Sequence, residues 1–254
     1  MKLFILHAGD ITNPNKASLT PGSGEGIPYR FPVSSYLIDH EDGLVLIDLG
    51  YNVDHWPELL RPNADFKEEQ RIDRQIQALG YDINDIKYVI LSHYHIDHCG
   101  CMDLFPNPTY IVRRQEAMFA WWPLDRSKDT ATYCFPDYEN TRDYEYIEIE
   151  EDIDYDVFGD GSLILIDTKG HTRDHQSIVV NLPNSGQIVL AVDAASLKEN
   201  LDDDIYPGVV TWNIEEGLKS LEKLRKLRDE GAMIIYGHEA TQWENLKKAP
   251  EFYD

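Results

Sequence analysis

The segment Ser92-His93-Tyr94-His95-Ile96-Asp97-His98 decides how this chain is interpreted, because it places three imidazoles and a carboxylate within six residues. It directly follows an apolar run, Tyr88–Leu91, which is typical of a short buried strand. His93 and His95 are two positions apart, so their side chains point the same way if the segment is extended. The last two residues of the motif follow as the chain begins to turn, and they can face a second point nearby. Imidazole nitrogen and carboxylate oxygen are ligands of zinc-type divalent ions, so the segment indicates a metal site.

Three other segments each supply a further metal-type residue after an apolar run. They are His171 in the sequence DTKGHT, Asp193 in LAVDA and His238 in IYGHE. A single histidine is more often an ordinary surface or core residue than a ligand. The cluster is different, because burying so many titratable side chains without a metal would leave polar atoms unpaired. The complete candidate set is His93, His95, Asp97, His98, His171, Asp193 and His238.

The cysteines are the alternative ligands, since Cys99 and Cys101 stand just after the histidine motif. We expect them to be small buried side chains instead, because the His/Asp set is already complete without a thiolate. Together with Cys134 they make an odd number of cysteines, which cannot form a disulfide framework. This usage favours a reducing cytoplasm.

The charge balance limits the class of partner. The chain has 254 residues, with 46 acidic and 23 basic side chains and a formal net charge of −23. Such a surface repels phosphate backbones and anionic membranes, so we expect neither nucleic acid nor a membrane as a partner. No apolar run approaches the roughly 20 residues of a membrane span, and the N-terminal residues 1–7 lack the features of a signal peptide. A neutral small-molecule substrate fits better.

The pattern of apolar residues predicts a single α/β domain over residues 1–254. After the first strand comes a long loop from Asp10 to Pro32, rich in Pro, Gly, Ser and Asn. In four places a predicted strand is followed by a loop and then by a metal-type residue. The predicted strands are Lys2–Leu6, Ser35–Asp39, Leu44–Asp48, Tyr88–Leu91, Tyr110–Val112, Leu163–Asp167, Ser177–Leu182, Gln187–Val192 and Met233–Tyr236. The predicted helices are Glu68–Leu79, Gln115–Trp121 and one that Asn213 and Glu216 cap and that ends near Asp229.

Two further stretches stand out by composition. The region from Trp121 to Tyr146 is rich in aromatic residues, which are expected to line an apolar pocket, to form a dimer contact or simply to pack this loop onto the body of the protein. The acidic run Glu148–Asp156 is expected to be a solvated surface.

Taken together, these residues resemble the metallo-β-lactamase superfamily, whose mark is a His-x-His-x-Asp-His motif after a buried strand. Asp48 in the sequence IDLG matches a strand that ends in Asp in that superfamily. Within it, the chain length, the segment Asp193–Asn200 and the ending after Tyr236 are similar to the quorum-quenching N-acyl-homoserine lactonases. The resemblance implies an αββα sandwich with two metal ions in a cleft between the sheets.

The resemblance also implies roles for the seven residues. His93, His95 and His171 would hold one ion, Asp97, His98 and His238 would hold the other, and Asp193 would bridge them. A hydroxide shared by the ions would attack the lactone carbonyl, and Asp97 would carry a proton to the departing alkoxide. Zinc is the first expectation for both ions, with iron, manganese and cobalt as alternatives that the same ligands accept. The implied substrate is a small-molecule lactone, and a homodimer is an open alternative to a monomer.

The sequence departs from the lactonase pattern at Ser196, where that family usually has a tyrosine whose hydroxyl helps to hold the carbonyl. Either another group takes over, such as a tyrosine of the 121–146 stretch, or the substrate differs. Lys169 and Arg173–Asp174 also replace the Pro and Pro-Gly found around the equivalent of His171 in many relatives. The alternative functions are hydrolysis of another ester, thioester, lactam or lactone, and a catalytically silent metal-binding or sensing protein.

Overall fold

Two β-sheets form the centre of the computed structural model, which describes residues 1–123 and 132–254. The first sheet has the strand order β4-β1-β2-β3-β5-β6-β7, and the second has the order β12-β11-β10-β9-β8. Strands β3, β5, β6 and β7 pair in parallel, as do β11 and β12. The strands are β1 (Lys2–Asn13), β2 (Tyr29–His40), β3 (Gly43–Ile47), β4 (Ala64–Asp65), β5 (Ile86–Ile90), β6 (Thr109–Arg113), β7 (Tyr146–Ile149), β8 (Tyr155–Asp156), β9 (Leu163–Asp167), β10 (Gln176–Leu182), β11 (Gly186–Val192) and β12 (Met233–Tyr236).

Helices cover the outer faces of both sheets. The helices of the described residues are α1 (Ile72–Ala78), α2 (Arg114–Trp121), α3 (Lys198–Asp202), α4 (Ile214–Asp229) and α5 (Ala240–Trp243), of which α5 packs Trp243 on the core between the sheets. Ile72 and Ile76 of α1 pack on the first sheet, and Leu221 and Leu224 of α4 pack on the second. The order of layers is therefore helix, sheet, sheet, helix, and the predicted αββα sandwich is confirmed. No described helix combines the length and the apolar character that crossing a membrane requires.

The apolar runs of the sequence are strands with two buried faces. In β1, Leu3 and Ile5 point into the core between the sheets, whereas Phe4 and Leu6 point towards the helices on the outer face. Successive side chains of a strand point to opposite faces, so a strand buried on both sides reads as a continuous apolar run. The core between the sheets contains residues of both sheets, for example Ile38 of β2 and Ile178 of β10.

Several predicted boundaries were wrong. The predicted loop from Asp10 to Pro32 is shorter, because β1 continues to Asn13 and β2 begins at Tyr29, with a register shift between His7 and Asp10. The predicted helix Glu68–Leu79 starts only at Ile72, because extended backbone at Arg71 separates it from a single turn of 3-10 helix at Glu68–Gln70. The acidic run contributes its first residues to β7 and its last two to β8, although most of its carboxylates are exposed.

The start of α4 follows the prediction in part. The side chain of Asn213 accepts hydrogen bonds from the backbone N–H groups of Glu215 and Glu216 at 3.0 and 3.2 Å. This satisfies two N–H donors that the first turn of a helix leaves free. Glu216 instead pairs its carboxylate with Lys219 at 2.9 Å, so the cap is an N-cap without the reciprocal bond.

Candidate metal centre

The seven candidate ligands meet at one edge of the sandwich, where strands of both sheets end. β5 leads into the segment 92–98, β9 into the loop with His171, β11 into Asp193, and β12 into His238. All seven are buried, with exposed fractions between 0% for His93 and 9% for Asp97. They form two groups in which potential ligand atoms lie within 4.8 Å of one another: His93, His95, His171 and Asp193, and Asp97, His98 and His238.

In the first group, the imidazoles converge with one carboxylate oxygen. His171 Nε2 lies 3.1 Å from His95 Nδ1 and 3.3 Å from Asp193 Oδ2. The ring of His93 is 4.5 Å from that of His95 and 5.1 Å from that of His171, measured between centroids, and both contacts are edge-on. Three nitrogen donors and one oxygen donor thus lie close enough together to share one ion.

In the second group, both oxygens of Asp97 face imidazole nitrogens. Its Oδ1 lies 3.7 Å from His98 Nε2, and its Oδ2 lies 3.6 Å from His238 Nε2. Asp193 reaches this group with its other oxygen, since Oδ1 lies 3.0 Å from His238 Nε2 and 3.5 Å from His98 Nε2. The carboxylate of Asp193 therefore lies between the two groups and offers one oxygen to each.

Backbone carbonyl groups determine which nitrogen of His171 and of His238 carries the proton. His171 Nδ1 lies 3.0 Å from the carbonyl oxygen of Pro207, and His238 Nδ1 lies 3.1 Å from that of Pro32. A carbonyl oxygen only accepts hydrogen bonds, so Nδ1 must donate in both cases. The Nε2 lone pair of each ring is then left to face the centre, as in histidines that bind a metal.

Asp48 and Ser92 orient the imidazoles of His98 and His93 through hydrogen bonds to Nδ1. Asp48 Oδ2 lies 2.8 Å from His98 Nδ1 and accepts a 2.8 Å bond from Ser92 Oγ, while its Oδ1 accepts from the backbone N–H of Ser92. Because Ser92 Oγ gives its proton to Asp48, it accepts from His93 Nδ1 at 2.9 Å. Asp48 has a positive φ of 53°, a costly backbone conformation for a residue other than glycine.

Several polar atoms of the site have no hydrogen-bond partner among the described residues, and their chemistry suits a cation. Among the described residues, the buried atoms His93 Nε2, His98 Nε2 and Asp193 Oδ1 have no hydrogen-bond partner. Buried polar atoms are normally paired, so such a concentration requires an explanation, and a metal ion is the one that this set of nitrogen and oxygen donors suits.

The pKa shifts of the histidines differ between the two groups of ligands. Burial and the neighbouring imidazoles lower the pKa of His93 and His95 well below the ordinary value, which keeps both rings neutral. Burial also disfavours a charged His98, but Asp97, Asp193 and Asp48 outweigh it and raise the pKa of His98 to about 10. A field that attracts a proton so strongly would also attract a cation.

The backbone around Asp193 is unusual on both sides. Val192 has a positive φ of 49°, and the β11–β12 register shifts between Leu190 and Val192. A Cβ atom on Gly237 would lie 2.6 Å from the carbonyl oxygen of Val192 and 2.9 Å from Asp193 Oδ1. Only glycine can therefore bring the chain before His238 so close to Asp193.

Ser196, which departs from the lactonase sequence pattern, lies beside the centre. Ser196 is buried, its Oγ has no hydrogen-bond partner among the described residues, and its carbonyl accepts from the N–H of His238 at 2.8 Å. From the aromatic stretch, Tyr133 packs edge-on against His95 with ring centroids 4.9 Å apart, but its hydroxyl donates to Glu116 at 2.7 Å. Most other rings of that stretch pack on one another or on Tyr94, although Trp122 is 66% exposed.

Neither cysteine after the motif belongs to the two groups. Cys99 Sγ donates to the carbonyl oxygens of Tyr94 and His95 at 3.4 Å, and burial raises its pKa well above the ordinary value. Cys101 Sγ donates to the carbonyl of Tyr51. Cys99 therefore packs against the backbone of the motif, and Cys101 packs against Tyr51.

Sequence reasoning missed several residues that hold the ligands. It named Asp48 but not the bonds of this carboxylate, and it did not single out Ser92 or His175. His175 Nε2 accepts a 3.2 Å bond from the N–H of Asp193. Its position four residues after His171 was an available signal. Glu116 had none, since a lone glutamate in a helix usually faces water.

Comparison with known proteins gives one family. The model of the metallo-beta-lactamase superfamily matches residues 28–238. N-acyl homoserine lactonase AttM from Rhizobium radiobacter is 35% identical over 265 residues, which cover 100% of this chain and 98% of that protein. N-acyl homoserine lactonase AiiA from Bacillus thuringiensis subsp. kurstaki is 30% identical over 268 residues, covering 99% and 98%. A crystal structure of an N-acyl homoserine lactone hydrolase, with the product N-hexanoyl-L-homoserine at its catalytic metal centre, superposes with a TM-score of 0.84 at 28% identity and covers 99% of this chain and 98% of that one.

Proposed function

Because the chain belongs to the metallo-β-lactamase superfamily, we propose that it is a dinuclear metal-dependent hydrolase that opens the lactone ring of N-acyl-homoserine lactones. The relatives that match it over almost their whole length carry that activity in their names. The proposal treats residues 1–254 as a single hydrolase domain, which the core shared by both sheets supports.

The observation that carries the proposal is the position of Asp193 between the two groups. One of its oxygens lies 3.3 Å from His171 Nε2 and the other lies 3.0 Å from His238 Nε2. We propose that His93, His95 and His171 would hold one ion, that Asp97, His98 and His238 would hold the other, and that the Asp193 carboxylate would serve both. Zinc is the proposed metal, since it takes nitrogen and oxygen donors and keeps a position open for water or substrate in catalytic sites.

The chemistry divides between the metals and the side chains. Two divalent ions would supply a nucleophile at neutral pH and polarise the lactone carbonyl. Asp97 is the most exposed of the seven residues, so it is the one placed to meet the substrate as well as the centre. Its carboxylate would take a proton from the attacking water and pass it to the ring oxygen as the bond between that oxygen and the acyl carbon breaks. The product is the ring-opened hydroxy acid.

Ser196 is the observation that favours a second candidate. Its hydroxyl is buried beside His238 and is too short to reach a carbonyl that a tyrosine would hold. Another ester, thioester, lactam or lactone is therefore the alternative substrate class. The three cysteines are free thiols, which supports a reducing cytoplasm as the place of action.

The test is hydrolysis of a lactone panel with varied acyl chains, followed by acid release, with a β-lactam and a thioester in parallel. We expect the zinc-loaded protein to open the lactones, and the His95→Ala variant to lose at least about 100-fold in kcat/KM because one first-group donor is removed. His7→Ala is the matched control, since His7 is a partly exposed histidine of β1 that pairs with Asp10 away from the centre. Faster turnover of the thioester or the β-lactam than of every lactone would favour the second candidate, and equal lactone rates in His95→Ala would refute both.

A further inference from the structure

A buried glutamate on α2 connects two of the three segments that carry the first group of ligands, the segment of His93 and His95 and the loop of His171. Glu116 is 1% exposed. Its Oε1 accepts from the Tyr133 hydroxyl at 2.7 Å and from the backbone N–H of Tyr94 at 3.2 Å, and its Oε2 accepts from the N–H of Asp174 at 3.4 Å. Tyr94 lies between His93 and His95 in the chain, and Asp174 lies three residues after His171. One carboxylate thus touches both of these segments.

Asp174, in the loop of His171, accepts a hydrogen bond from α2. Its Oδ2 accepts from the N–H of Gln115 in the first turn of α2 at 3.2 Å. Arg113, at the N-cap position, makes no capping hydrogen bond to α2 within the described part of the chain. The helix therefore takes its cap from the loop that carries His171, while Glu116 of the helix bonds back to that loop. Two reciprocal bonds hold α2 and the loop in one arrangement.

Tyr133 connects Glu116 to His95, one of the first group of ligands. Its backbone pairs with that of His95, and its ring packs edge-on against the imidazole with centroids 4.9 Å apart. Phe119, one turn after Glu116, also packs edge-on against Tyr133, with centroids 5.3 Å apart. The bond from the Tyr133 hydroxyl to Glu116 thus fixes a ring that His95 rests against.

We infer that Glu116 is a positioning residue that sets the separation of His95 and His171 and thereby the metal affinity of the first group. The inference rests on the proposed function, because it takes the first group to be a metal site. In each of the three hydrogen bonds with Tyr133, Tyr94 and Asp174 the carboxylate is the acceptor. A glutamine of the same shape would turn an NH₂ group towards at least one of these donors, so two donors would face each other in a buried space.

The experiment is a metal titration without substrate. Metal-free wild type and Glu116→Gln are titrated with Co²⁺, and the visible absorption and competition with a chelator give the two affinities. We expect wild type to bind two ions and Glu116→Gln to bind one of them about 10-fold or more weakly, with a changed Co²⁺ spectrum for that ion. In activity assays, excess metal should restore much of the lost kcat. Glu150→Gln, an exposed glutamate paired with Arg114, is the matched control and should titrate like wild type.

Tyr133→Phe provides a second variant if Glu116→Gln does not fold. It removes one hydroxyl and keeps the ring, and it should weaken the same ion to a smaller extent. Two ions bound with wild-type affinity and spectrum in the folded variants would overturn the positioning role, even if their melting temperatures fell. Fewer than two ions in wild type would overturn the proposed function itself.

Discussion

Replacing Asp48 by Asn, a side chain of the same shape, should weaken the binding of a metal ion by the second group of ligands. Asp48 accepts three bonds, from the N–H and Oγ of Ser92 and from His98 Nδ1, each at 2.8 Å. An amide has only one oxygen. In either orientation of the Asn side chain its NH₂ group therefore faces a donor. When that donor is His98 Nδ1, the ring can relieve the contact by moving its proton to Nε2, and it then has no lone pair for a metal.

The magnitude follows from the bond that is lost. The carboxylate is 1% exposed, and hydrogen bonds to charged groups contribute about 1.5–3 kcal/mol. This corresponds to about a 10- to 150-fold weaker affinity for one ion, at 1.4 kcal/mol for each factor of ten. Losses of about 10- to 100-fold are typical when an outer partner of a metal-binding histidine is removed, so the two figures agree.

The assay is Zn²⁺ competition with a chromophoric chelator, with lactone hydrolysis measured at the same free metal concentrations. We expect one affinity to fall and kcat to recover as free zinc rises. Asp39→Asn is the control, because Asp39 accepts from Tyr81 at 2.7 Å on the same sheet and does not touch the centre. Unchanged affinities for both ions in folded Asp48→Asn would refute the assignment of Asp48 as the residue that orients His98.

Three further predictions concern the backbone, pH and the metals. Gly237→Ala should lose at least about tenfold in metal affinity, because its Cβ would lie 2.9 Å from Asp193 Oδ1, while Gly217→Ala, whose Cβ meets nothing closer than 3.7 Å, should bind metal normally in the same titration. Burial outweighs the pairing with His55 and raises the pKa of Asp137 from 3.8 to about 7, so the folded state holds this proton more tightly than the unfolded state and stability is lost as pH rises through 7. The unfolding free energy should fall by about 2 kcal/mol between pH 5 and 8 from this group, and urea unfolding of Asp137→Asn should show a flatter pH profile; an equal slope in both proteins would contradict it. Chelation should lower the melting temperature and zinc should restore it, since ions that bind only the folded chain stabilise it; an unchanged melting temperature would mean that the ions contribute no stability.

The ends of buried strands explain why the structure brings the seven predicted residues together. Apolar runs buried on both faces are easy to recognise, and each of the four runs ends shortly before one of the metal-type residues. His171, Asp193 and His238 could therefore be assembled with the histidine motif without knowledge of the pairing of strands. The αββα layers followed from the family resemblance, and Leu3 and Ile5 against Phe4 and Leu6 show the physical reason for them.

The partners that orient the ligands could not be predicted, because they depend on distant backbone. The carbonyl oxygens of Pro32 and Pro207 carry no signal in the sequence, yet they fix the proton of His238 and His171. Glu116 looks like an ordinary helix residue until the loop around Asp174 is seen to lie against it. The end of β1 was missed for a related reason, since a register shift between His7 and Asp10 carries the strand past Gly9.

The most direct measurement for the central claim is the zinc titration of metal-free protein with lactone hydrolysis and elemental analysis followed together. The account predicts two zinc ions per chain at saturation, with ring opening that reaches its plateau only when both groups are filled. Full lactone hydrolysis by the metal-free chain, or a saturated protein with fewer than two ions, would contradict it.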